Sequence, residues 1–171
     1  MNEQTQELFL KLSQSLEEIT KFYRQLLEVV RKEKDFLIQV NQPEIESCYK
    51  LKEELIGKIR LSDMLREKYA QNLGAQLNLN SHAPRLLELA QNLPMEQGDF
   101  LRKMHSGLEL LIKRIQEINQ VNRVHAENAL KALDGALGNV KETLAGKSTY
   151  ERKGKYKSGP EQSGHFVSKE A

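Results

Sequence analysis

The sequence predicts an all-α protein: an elongated antiparallel helical hairpin plus a long third helix, coiled-coil-like, with a disordered C-terminal tail. Three observations carry this. Apolar residues recur at alternating steps of three and four over long stretches. The spaces between them are filled by Lys, Glu, Gln and Arg, all good helix formers. Gly, Ser and basic residues gather at the end, after the last leucine periodicity stops.

The first helix is read over about 3–40. Leu12, Leu16, Ile19, Tyr23, Leu26, Val30, Leu37 and Val40 form a heptad seam, with Glu33 as its one polar break. Asn41-Gln42-Pro43-Glu44 then stops this helix and starts another. Asn41 and Glu44 have the spacing of a capping box, and Pro43 suits a first helical turn, where its missing N–H costs nothing. The second helix is read over 43–73, with Ile45, Cys48, Leu51, Leu55, Ile59, Leu65, Tyr69 and Leu73 facing inward. So short a connection forces the two helices antiparallel.

Gly74 to Asn80 is a polar break. Ser81-His82-Ala83-Pro84 reads as the capped start of a short helix over 84–92, and Gly98-Asp99 leads into the last helix, over 99–145. There, Leu101, Met104, Leu108, Leu111, Ile115 and Ile118 hold six successive seam positions, and Asn122 and His125 hold the next two. Apolar residues resume one position out of phase, at Leu130, Leu133, Leu137, Val140 and Leu144. This helix therefore carries two apolar faces in series, joined by polar residues. The first suits the hairpin. The second is either a surface for a partner segment or further core against the second helix. Gly135 and Gly138 weaken the helix there by about 1 kcal/mol each, so the stretch is expected to fray when free and firm up when bound.

Residues 147–171 hold six Lys/Arg and three Glu, a net +3. With 26 Lys+Arg and 24 Asp+Glu, the whole chain carries only +2, which gives no global field for nucleic acid. The split expected is a helical domain over 1–146 and a basic tail over 147–171. Mean hydropathy is −0.62, and no apolar run approaches the roughly 18 residues of a membrane helix. No secretory signal pattern opens the chain, and the single cysteine, Cys48, excludes an internal disulfide, so a cytoplasmic setting is expected.

Enzymatic constellations are missing from the sequence. The four histidines are scattered, with no HExxH, no CxxC and no Glu-x-x-His. There is no phosphate loop and no GxSxG. No catalytic residue, cofactor or metal is expected. His105 on a helix leaves a phosphotransfer reading open, although the Lys-Gly that usually follows such a histidine is absent.

The run from Glu117 to Leu133, with its Asn119, Asn122 and Asn128, is followed beyond Leu144 by Ser148-Thr149-Tyr150-Glu151-Arg152-Lys153-Gly154. This resembles the FlgN family of flagellar export chaperones, over roughly 5–154. His125 departs from the leucine more common in the family, and the tail after Gly154 is longer than usual. The resemblance implies a non-enzymatic cytoplasmic chaperone for type III export. Its clients would be the C-terminal segments of hook-filament junction proteins, FlgK and FlgL, and its delivery target the export gate, including FlhA. Asn122, Leu130, Leu133, Leu137, Val140, Leu144 and Tyr150 are the expected partner-binding residues. A structural coiled-coil adaptor or oligomerisation module without an export role is the alternative from a different functional class, and the seams of the three long helices are open to closure within one chain or across a homodimer.

Overall fold

A computed structural model describes residues 2–79 and 81–144 of the chain. All regular structure among them is helical: α1 (Glu3–Gln39), α2 (Gln42–Gln76), α3 (Leu86–Gln91) and α4 (Met95–Leu144). The chain divides into two compact units, one ending at Glu127 and the other beginning at Asn128. The composition break expected at 147 lies outside the described residues.

In the first unit α1 and α2 form the antiparallel hairpin, and the α4 segment through Glu127 packs along them. Leu12, Leu16 and Ile19 share one cluster with Ala70, Leu73, Leu101 and Leu108. Leu26, Leu27 and Val30 share the next with Leu55, Ile59 and Ile115. Rising numbers on α1 thus meet falling numbers on α2 and rising numbers on α4. α3 closes the open end, where Leu89 and Ala90 are fully buried beside Leu93. Phe9 meets Phe100 edge to face there, with centroids 6.0 Å apart.

Helix ends follow local chemistry. Asn2 caps α1, its side chain accepting from the Thr5 N–H at 2.8 Å. At the other end the Val40 N–H donates to Leu37 O and the Asn41 N–H to Phe36 O, the paired pattern of a Schellman stop. Val40 takes the left-handed position, φ 54°, which usually belongs to glycine, and strain of about 1–2 kcal/mol is stored there. It is 65% exposed, so it is not the last seam residue but the turn itself. Asn41 makes no side-chain cap bond. The capping box is not formed, because the Schellman pair already fixes the turn.

Gly74 does not end α2. The helix continues to Gln76 and stops in a second Schellman pair, with Asn78 left-handed at φ 56° and the Leu79 N–H donating to Gly74 O at 2.9 Å. Gly74 is a packing glycine: a Cβ there would lie 2.8 Å from Pro84 Cγ. Gly98 acts likewise. α4 begins at Met95, directly after Pro94 and four residues before the expected start, and a Cβ on Gly98 would lie 2.5 Å from the Ala90 carbonyl oxygen. The last short helix starts at Leu86 rather than at Pro84, with the Glu88 carboxylate accepting from the Arg85 N–H.

The inward face of α2 keeps Cys48, Leu55, Ile59, Tyr69 and Leu73 of the expected set and departs from it at two leucines. Leu51 and Leu65 are exposed, whereas Ser62 and Ala70 are buried and Lys52 and Arg66 are half-buried. The true seam steps through 48, 52, 55, 59, 62, 66, 69 and 73. It admits polar residues because each has a mate: Lys52 binds Glu33, Ser62 faces Glu18 and Arg66 binds Asp63.

Candidate functional site

Two features compete for a functional role: a buried polar cluster in the first unit and an exposed apolar stripe in the second.

The cluster forms where the α4 seam turns polar. Asn122 is only 4% exposed. Its Nδ2 donates to the Val30 carbonyl at 2.9 Å and to Glu33 Oε2 at 2.8 Å. Lys52 Nζ donates to both Glu33 oxygens, at 2.9 Å each. Both Asn122 partners are acceptors, which fixes the amide's orientation and leaves Oδ1 buried without a donor. One residue from each long helix thus meets in a charge-assisted network. Asn122 was expected on the partner-binding surface. In this structure it is turned inward and ties α4 to α1, because its amide satisfies a buried carboxylate. An open groove of about 390 Å³ runs beside the cluster, walled by Leu37, Ile45, Asn119 and Ala126.

Nearby Cys48 is buried, and burial pushes its thiol pKa up, with the Glu33 and Glu44 carboxylates adding to the shift. Such a thiol is a small core side chain rather than a nucleophile. His105, the residue of the phosphotransfer reading, is half-buried on α4. It borders a second groove of about 500 Å³ with Leu86, Leu108 and Ile112. No metal-binding group of His, Cys, Asp or Glu occurs among the described residues.

In the second unit the sequence-predicted stripe is present as a helical face. Leu130, Leu133, Leu137 and Val140 are 62%, 56%, 58% and 52% exposed. Positions 131–141 are all exposed. The earlier seam, carried on by its own stepping, passes through Ala129, Ala132 and Ala136, so the large side chains stand one position away, about 100° round the helix. Gly135 and Gly138 meet nothing within 4 Å of an added Cβ. Their backbone freedom has no packing reason in this structure. The side chain of Leu144, and all of Tyr150, lie outside the described residues.

The model of the family described as FlgN protein matches residues 1–158. The chain belongs to the FlgN family. FlgN proteins are flagellar export chaperones, and the match takes in the whole first unit, most of the second and the Thr149-Tyr150 stretch. No curated protein and no solved structure matches this FlgN chain. No helix among its described residues is long and apolar enough to cross a membrane.

Sequence reasoning found the stripe but missed the mates of Asn122. Glu33 was visible as a break in the α1 seam and Asn122 as a break in the α4 seam. Two polar breaks in facing seams are the available signal that they pair.

Proposed function

We propose that this FlgN chain is a cytoplasmic, non-enzymatic chaperone of flagellar type III export. It binds the C-terminal segments of hook-filament junction proteins of the FlgK and FlgL kind, keeps them soluble, and hands them to the export gate, including FlhA. The observation that carries this reading is the exposed stripe Leu130, Leu133, Leu137 and Val140. A face of four large aliphatic side chains at helical spacing, set in water, is built to receive an amphipathic segment.

The energetics suit a carrier. Four anchors at about 1.5–2 kcal/mol give roughly 7 kcal/mol, and the client's apolar side chains add a similar amount. Ordering a disordered client takes back about 2–5 kcal/mol, and lost translation and rotation at least about 4. The remainder, about 5–8 kcal/mol, corresponds to micromolar or weaker binding, tight enough to hold and loose enough to release. Gly135 and Gly138 lower the cost of leaving the helix, so the client-binding stretch orders on contact. Asn122 acts at a distance, as a positioning residue that fixes the register of α4. Tyr150, an aromatic with a polar tip just past the helix, contacts client or gate.

The test replaces Leu133 and Leu137 together by Asp. Binding to a peptide from a candidate client C-terminus should fall below detection, while helicity by circular dichroism stays nearly unchanged. Retained binding, or a collapse of helicity, rejects the assignment of this face.

A further inference from the structure

The Asn122 amide leaves one requirement unmet. Its Nδ2 gives both hydrogens to α1, at Val30 O and Glu33 Oε2, and its Oδ1 has no donor although the residue is only 4% exposed. Buried acceptors in native proteins ordinarily have a partner, because leaving one unpaired is costly. Nothing among the described residues supplies it.

Asn122 also lines the open groove of about 390 Å³ at the hairpin end of the first unit, where α1, α2 and α4 meet. The apolar walls of this groove, Leu37, Ile45 and Ala126, are half-buried side chains with no hydrogen to donate. Two cations border it, and both are engaged: Lys52 Nζ on Glu33 and Arg123 Nε on Glu127.

A group that satisfies Oδ1 here must bring an N–H or O–H. It must bring no acceptor of its own, because these walls would leave that acceptor unpaired. It must also be uncharged, because a cation would stand beside Lys52 and Arg123. Lysine and arginine fail on charge. Hydroxyls, amides and neutral imidazole each carry an acceptor. The indole of tryptophan meets all three demands: a neutral, donor-only N–H on a large apolar ring. None of the 171 residues is tryptophan, so such a ring comes from another polypeptide.

We infer that this groove is a recognition pocket for a tryptophan side chain of a partner protein, its indole N–H donating to Asn122 Oδ1 and its ring lying against Leu37, Ile45 and Ala126. Oδ1 is closed to water in this conformation, so the groove wall shifts as the ring enters. The pocket belongs to the first unit alone and stands apart from the client reading of residues 128–144.

The absence of tryptophan from the chain makes the test direct. N-acetyltryptophanamide at low concentration is titrated with the full chain, and its fluorescence anisotropy and emission maximum are followed. Saturable binding at about millimolar, with emission shifted to the blue, is expected of so small a probe. The analogue with benzothiophene in place of indole keeps the shape and loses the N–H, and it should bind about tenfold more weakly. Ala126→Leu fills the groove and leaves the Asn122 bonds in place; it should abolish binding at unchanged helicity. If that variant loses helicity, the two probes compared on the parent chain decide. A tryptophan probe that shows no change up to about millimolar chain overturns the proposal. So does a benzothiophene analogue that binds as tightly, or binding that survives Ala126→Leu, which would place the probe on another apolar face.

Discussion

Replacing Asn122 by Asp changes one nitrogen to oxygen at almost constant volume, in the most buried polar position of α4. The parent Nδ2 donates to Val30 O at 2.9 Å and Glu33 Oε2 at 2.8 Å. Both bonds are lost, about 1 kcal/mol for the neutral one and about 1.5–3 for the charged one. In their place two carboxylate oxygens stand about 3 Å apart, and at an effective dielectric of about 20 that repulsion is about 6 kcal/mol. Holding a proton on the new carboxyl is the cheaper escape. At about pH 7, with an unfolded aspartate near pKa 3.9, that costs about 4 kcal/mol and restores a donor toward Glu33. The variant is therefore expected to lose about 4 kcal/mol at neutral pH.

The sign of its pH dependence follows. An acid whose folded pKa is raised binds more protons when folded, so its stability is fully present below the unfolded pKa and falls as pH rises toward the folded one. The deficit relative to the parent should shrink by about 1.4 kcal/mol per pH unit on acidification, nearly closing at about pH 4. Urea unfolding followed by circular dichroism at several pH values measures it. A deficit below about 1 kcal/mol that does not vary with pH would refute the inward placement of Asn122.

Other perturbations read other parts of the fold. Gly98→Ala should destabilise by about 1–3 kcal/mol, since its Cβ would meet the Ala90 carbonyl oxygen at 2.5 Å, whereas Gly135→Ala and Gly138→Ala meet nothing and should each favour the helix by about 1 kcal/mol. Thermal unfolding and hydrogen exchange separate these cases; exchange over 128–144 that is already slow in the parent and unchanged in the alanine variants contradicts fraying there. Cys48, buried with a raised pKa, should react with a thiol reagent only as fast as the chain opens, and a folded-state rate equal to that of an exposed thiol would contradict its burial. The same shift makes stability fall as pH rises above the thiol's ordinary value of 9.0, and Cys48→Ala should flatten that slope in alkaline urea titrations.

α1 and the first part of α4 were legible from sequence, since their seams are continuous and a three-and-four repeat of large aliphatics has one helical solution. The stripe over 130–140 was legible as well, because a one-residue phase shift is a property of the chain alone. The hairpin followed from the shortness of the link at Val40 and Asn41. The inward face of α2 was legible only at its apolar members, Cys48, Leu55, Ile59, Tyr69 and Leu73. Lys52, Ser62 and Arg66 occupy its seam, and a polar residue on a seam cannot be told from a surface residue until its mate is known. Glu33 is 19 residues from Lys52 and 89 from Asn122 in the chain, and folding alone brings the three together. The same holds for Gly74 and Gly98, which look like helix breakers in a string of letters but lie within helices, where a proline ring and a carbonyl come too close for any side chain. Local periodicity is written along one strand of sequence; the identity of what faces it is a three-dimensional fact, and burial energies depend on the second as much as on the first.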